Sequence, residues 1–111
     1  MVTVTTQNFQ EVVEKSEQPI LMDVWADWCP PCRMMEPIMQ ELDKDLAGKL
    51  VIAKLNADEQ AGLAQQLGVM SLPTFLMIKG GKVVHASIGA KPKDALMAEV
   101  TQALGVKAAR P

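Results

Sequence analysis

A chain of 111 residues, 49% of them apolar, is sized for one domain with its own core. Its 11 basic and 13 acidic residues leave a net charge of −2, too little to attract nucleic acid or an anionic membrane broadly. The longest wholly apolar runs are a few residues, so nothing in the sequence spans a bilayer.

The N-terminus, from Met1 to Gln7, has neither a basic region nor a long apolar stretch, so no signal peptide is expected. The cytoplasm is therefore the default setting, although a chain whose signal had been removed would look the same. Val2 to Thr5 is a short strand candidate. Thr6 is placed to cap a helix in which Phe9, Val12, Val13 and Ser16 recur at helical spacing, ended near Pro19. Ile20 to Ala26 is apolar apart from Asp23, as expected of a strand buried on both faces of a sheet.

Cys29-Pro30-Pro31-Cys32 opens the next helix, which runs to about Leu46. Pro31 falls where a missing N–H costs little, and Pro37 should kink the helix further in. Gly48 follows its end. Leu50 to Asn56 reads as a second buried strand and Glu59 to Leu67 as a short helix. Pro73 introduces a strand from Thr74 to Lys79, Gly80-Gly81 is a hairpin turn, and Lys82 to Ile88 is the return strand. Pro92 to Leu104 is a last helix with Leu96, Met97, Val100 and Leu104 on one face. The domain is expected over residues 1–106, with 107–111 a frayed tail. The order β-α-β-α-β-α-β-β-α predicts an α/β fold, a mixed five-stranded sheet with helices on both faces.

The chain's two cysteines are separated by two residues. A thiolate attacks a disulfide through a mixed disulfide, and a second thiol nearby can release the first. The pair is thus a candidate two-electron switch. Zinc is a poor alternative, because it needs three or four protein ligands and the only histidine, His85, lies far along the chain. A purely structural disulfide is poor as well, since so short a loop removes little entropy from the unfolded chain. Cys29 stands where a strand gives way to a helix, whose positive end stabilises a thiolate. Asp23, among apolar neighbours, should have its charged form disfavoured and its pKa raised.

Several segments in order resemble the thioredoxin family: Ile20 to Cys29, Pro37, Ala53 to Asp58, Leu72-Pro73-Thr74, Gly80-Gly81 and Ile88-Gly89-Ala90. The resemblance covers residues 2–105 and implies the thioredoxin fold and a protein-disulfide reductase. Cys29 would be the exposed nucleophile and Cys32 the resolving thiol. Asp23 would be the general base for Cys32, with Lys54 near that carboxylate or simply paired with it. Pro73 would follow a cis bond and set Leu72 against Cys29. Trp28, Pro30, Pro31, Met70, Leu72, Pro73, Ile88, Gly89 and Ala90 would form a shallow apolar docking face, with Met70 moved to the surface. Trp25 reads as half-buried packing. Met34, Met35 and Met39 read as core filler, and His85 as a plain surface or edge residue.

The family's common Gly-Pro between the cysteines is Pro30-Pro31 here, and Trp28-Cys29-Pro30-Pro31-Cys32 is similar to tryparedoxins and nucleoredoxins, whose insertions this chain lacks. Val24 stands for the family's usual Phe, and Met70-Ser71 for the commoner basic-Gly pair. Pro30 removes a backbone N–H near Cys29, which should favour the disulfide and make the couple at least as reducing as a Gly-Pro version. The resemblance implies electrons from an NADPH-linked flavoenzyme, thioredoxin reductase, passed to oxidised protein substrates by a monomer with no bound cofactor or metal. The alternatives are a disulfide oxidase or isomerase in an oxidising compartment, and a binding subunit using the same face without redox turnover.

Overall fold

In the sequence the strand from Ile20 is apolar on both parities apart from Asp23, and the fold uses it as the middle of a sheet. The computed structural model describes residues 1–107; most of the expected tail 107–111 lies outside the described residues. Five strands, β1 (Val2–Thr3), β2 (Ile20–Trp25), β3 (Val51–Asn56), β4 (Thr74–Lys79) and β5 (Lys82–Ile88), form one sheet in the order β1-β3-β2-β4-β5. β1 and β2 run parallel to β3, while β4 is antiparallel to both β2 and β5. Three helices join them: α1 (Pro30–Asp45), α2 (Ala61–Gln66) and α3 (Lys93–Leu104). The expected architecture is the observed one and, the first helical segment apart, element ends move by a residue or two.

Alternation along the strands sends successive side chains to opposite faces. Leu21, Ile52, Phe75 and Met77 meet Met35, Met39, Leu42 and Leu46 of α1 and Leu96, Val100 and Leu104 of α3. Ile20, Met22, Val24, Ala53, Leu55, Leu76 and Ile78 meet Val13 and, from α2, Leu63 and Ala64. Asp23 shares the parity of Leu21, so it lies on the α1 side. Its register partners are Lys54 on β3 and Phe75 on β4.

The first helical segment differs from expectation. It is a single wide turn over Gln10–Glu14, closed by Lys15 N–H to the Gln10 carbonyl at 2.9 Å. Thr6 does not cap it. Thr5 and Asn8 exchange bonds instead, Thr5 N–H to Asn8 Oδ1 at 2.8 Å and Asn8 N–H to Thr5 Oγ1 at 3.2 Å. That reciprocal pair satisfies two otherwise free donors one residue earlier. Thr6 turns to Gln60 Oε1 and ties this turn to the start of α2.

Gly80 and Gly81 sit at φ +62° and +77° between Lys79 and Lys82, a two-residue hairpin turn that demands positive φ at both positions. Opposed residues of an antiparallel pair share a face. His85 and Ser87, opposite Met77 and Phe75, therefore face α3. His85 is exposed on the edge strand, as expected, and also has a partner: its Nε2 lies 2.8 Å from Glu99 Oε1. Ser87 Oγ donates to Glu99 Oε2 at 3.0 Å, and Lys91 Nζ reaches both Glu99 and Ser87. Partial burial pushes the Glu99 carboxyl up, but bonds from His85, Ser87 and Lys91 outweigh it and hold the group below its ordinary value. This clasp closes the β5 edge onto α3.

The methionines divide by the same geometry. Met35 and Met39 are buried, whereas Met34 is 68% exposed and is no core filler, because its position on α1 points away from the sheet. Met39→Ala should cost about 2–5 kcal/mol through lost contacts and a cavity. Met34→Ala should stay within about 0.5 kcal/mol of the parent. Urea unfolding midpoints of the two variants check this, and equal losses would contradict the packing described.

Candidate functional site

The site is built where β2 ends and α1 begins. Cys29 is the N-cap of α1, and Pro30 and Pro31 fill the first two helical positions. Neither proline has an N–H, so the first donor of the helix is Cys32, whose N–H lies 3.3 Å from Cys29 Sγ. Cys29 and Cys32 are joined as a disulfide with Cα atoms 5.2 Å apart. Each is 3% exposed, so in this oxidised state accessibility does not separate the expected exposed nucleophile from its partner. Ala26, Trp25 and Leu72 pack around them.

Several apolar groups expected at the site are exposed. Trp28, Met70 and Ile88 stand in the open, and Met70 is 97% exposed. Pro30, Pro31 and Ala90 are exposed, Leu72 and Gly89 half-buried, and Pro73 buried. The Leu72–Pro73 peptide bond is cis. Gly89 N–H donates to the Pro73 carbonyl at 2.8 Å, which draws the segment Ile88 to Ala90 alongside. Trp28 is steered by its Nε1–H, which donates to Asp58 Oδ2 at 2.8 Å. Asp58 is itself fixed by Asn56 Oδ1, which accepts from the N–H groups of Asp58 and Glu59 at 2.9 and 3.1 Å. Trp28, Ala57, Val69, Met70 and Leu72 line a hollow of about 330 Å³ on one side. Met34, Ile38, Ala90 and Pro92 line another on the opposite side.

On the α1 face of the sheet lies Asp23, 1% exposed, with neither carboxylate oxygen hydrogen-bonded. Burial pushes its carboxyl up to about 7; the Lys54 charge pulls it down and the Glu36 charge pushes it further up. Lys54 stands opposite Asp23 in the register but does not pair with it. Its Nζ is bound by Glu36 Oε1, and it lies 4.5 Å from the centre of the Trp25 ring. Lys54 thus stands near Asp23, as the resemblance implies, and the alternative of a structural pair is not what forms: a charged partner on α1, partly in solvent, takes the flexible ammonium at lower desolvation cost than the interior carboxyl. Trp25, Cys32, Arg33, Glu36 and Lys54 line a hollow of about 480 Å³.

Three residues of the site went unread in the sequence. Met34 was assigned to the core. Asp58 carried no signal beyond its place two residues after Asn56. Glu36 did carry one, for four residues along a helix from Cys32 is the same face. Among the described residues no group of three or more His, Cys, Asp or Glu side chains is arranged to hold a metal ion.

The thioredoxin family model matches residues 1–102. A thioredoxin of Chlorobaculum thiosulfatiphilum is 45% identical over 101 residues, covering 91% of this chain and 94% of the relative. Thioredoxin 2 of Chlorobaculum tepidum is 46% identical over 101 residues, 91% of this chain and 93% of its own. The thioredoxin of Bacillus subtilis is 45% identical over 104 residues, 94% of this chain and 98% of its own.

The buried carboxyl makes stability depend on pH. Its folded pKa of about 7 lies above the ordinary 3.8, so the fold favours the neutral form. Below about pH 4 both states are neutral and ionisation adds no penalty; the penalty grows toward pH 7 and is complete above it, on the order of 4 kcal/mol. Asp23→Asn should therefore stabilise the fold by little near pH 4 and by a few kcal/mol above neutrality. Urea unfolding across that range checks it, and a gain independent of pH would mean that the charge is not what the interior resists.

Proposed function

The chain belongs to the thioredoxin family and is a thiol-disulfide oxidoreductase that reduces protein disulfides; we propose that Cys29 is its attacking thiol and Cys32 its resolving thiol. The observation that carries this assignment is the place of Cys29 at the mouth of α1, its sulfur accepting the Cys32 N–H. In the reduced protein the Cys29 thiolate attacks one sulfur of a substrate disulfide. That bond breaks, the other substrate sulfur leaves as a thiolate and takes up a proton, and Cys29 is left in a mixed disulfide. Cys32 then gives its S–H proton to the Asp23 carboxylate and attacks Cys29 Sγ. The Cys29–Cys32 bond forms, and the second substrate sulfur departs with a proton. The protein has lost two electrons and the substrate has gained two.

Asp23 suits the base role because a group that titrates near the working pH exchanges protons in both directions. Lys54 is an electrostatic neighbour of that step and not its partner. Trp28, Pro30, Pro31, Met70, Leu72, Pro73, Ile88, Gly89 and Ala90, with Met34 added, form the docking face. An extended substrate segment would lie along Leu72 and pair with its backbone. Exposed methionine adapts to varied partners.

A flavoenzyme reductase drawing on NADPH would return electrons to Cys29–Cys32, and oxidised proteins would take them. The cytoplasm fits this direction of flow, since reducing compartments hold thiols for such a carrier. A monomer leaves the docking face free. Residues 1–106 act as the working unit, in keeping with Val106, which is buried in the α1–α3 core.

Single substitutions test the assignment. Cys29→Ser should abolish insulin-disulfide reduction, while Cys32→Ser should accumulate covalent substrate complexes on Cys29; turnover surviving in Cys32→Ser would overturn it. Asp23→Asn should slow release of the mixed disulfide by about 10²-fold at neutral pH and below, the loss closing at alkaline pH where Cys32 ionises unaided. Pro30→Gly restores a donor beside Cys29 and should move the reduction potential upward, read by tryptophan fluorescence against a glutathione buffer. A lower potential in that variant would contradict the donor argument.

A further inference from the structure

Lys54 is the nearest cation to Asp23 in the register, and it is engaged elsewhere. The charged groups around the carboxyl come from two elements, β3 and α1. On β3 stands Lys54, and on α1 stand Glu36 and, lining the same hollow, Arg33. Arg33 is turned away, its Nε donating to the Asp27 carbonyl at 3.1 Å. On β4 the register partner is Phe75, which has no charge. Cys32 opens onto the hollow as well, one helical turn before Glu36.

We propose that Glu36 is a positioning residue of the redox site, binding the Lys54 ammonium and so keeping that charge off Asp23. This rests on the reading of Asp23 as the base for Cys32. With Lys54 held by Glu36, neither oxygen of the Asp23 carboxyl has a hydrogen-bonded partner. Were Lys54 to swing onto it, the carboxylate would be stabilised and would lose basicity. Glu36 adds its own negative charge, which acts in the same direction. The proton balance is that of the cycle above: Cys32 S–H to the Asp23 carboxylate as the Cys29–Cys32 bond forms, and Asp23 back to the Cys32 sulfur when a reductase dithiol breaks it.

The test uses the oxidised protein, in which neither cysteine titrates, and follows the Asp23 side-chain carbon by NMR through a pH series. In Glu36→Gln the Asp23 midpoint should fall by about one pH unit or more. In Glu36→Asp, which keeps the negative charge, it should stay close to the parent. In Lys54→Met it should not fall. An Asp23 midpoint that is unmoved or raised in Glu36→Gln overturns the proposal. The pH profile of release from a preformed mixed disulfide separates this from the base assignment. If the acid limb moves down with the Asp23 midpoint in Glu36→Gln, both stand. If the midpoint moves and the limb does not, Glu36 still sets the charge on Asp23, and it is the base role of Asp23 that falls.

Discussion

The site depends on one constraint: β2 is hydrogen-bonded along both edges and covered on both faces, and a carboxyl sits in the middle of it. A strand so placed leaves Asp23 almost without exposure and offers it no free backbone donor, since those donors are used by β3 and β4. The carboxyl is thereby denied the solvation that would fix it as an anion. Such a group costs stability at neutral pH. That a core otherwise filled by Leu21, Phe75, Met35 and Met39 accommodates it is what the proposed base role of Asp23 would account for.

α1 carries the other half of the arrangement, and its periodicity explains how one helix serves three ends. Its first turn caps on Cys29 and leaves a single N–H, that of Cys32, for the sulfur. Its inward stripe, Met35, Met39 and Leu42, anchors it to the sheet. Cys32 and Glu36, one turn apart, face the hollow that also takes Lys54. The helix continues through Pro37, whose missing N–H leaves the Arg33 carbonyl without its usual intrahelical bond. Packing of the inward stripe against β2 and β3 is strong enough to tolerate that loss.

Much of this was legible in the sequence because the signals were local or periodic. The glycine pair announced the hairpin, the apolar runs announced strands covered on both faces, and the cysteine spacing announced the chemistry. What escaped were choices between neighbours. Thr5 and Asn8 bond each other ahead of the first turn, where Thr6 was the expected cap, since a reciprocal pair satisfies two donors and a lone hydroxyl one. His85 looked like a plain edge residue because its partner, Glu99, is fourteen positions away on α3. Lys54 was rightly set beside Asp23, but a strand register fixes only where a backbone runs. Where a long ammonium ends is decided by competing acceptors, and Glu36 belongs to a different element.

The same distinction separates the site's chemistry from its recognition. Proton and electron transfer depend on side chains whose positions are imposed by the sheet and by α1. The docking face is imposed less tightly: Met34 and Met70 are long, flexible and in solvent, and only Trp28 among its large groups is tied, through Asp58. A rigid reactive centre inside an adaptable apolar rim can present one dithiol to substrates of different shape. The rim loses little by adapting, because unbranched methionine side chains have low barriers between rotamers. The centre loses little, because Met34 and Met70, the groups that adapt, are not among those packed on the cysteines. With a net charge of only −2, no strong overall field selects among partners either, which is what the proposed recognition by shape and by backbone pairing at Leu72 would require.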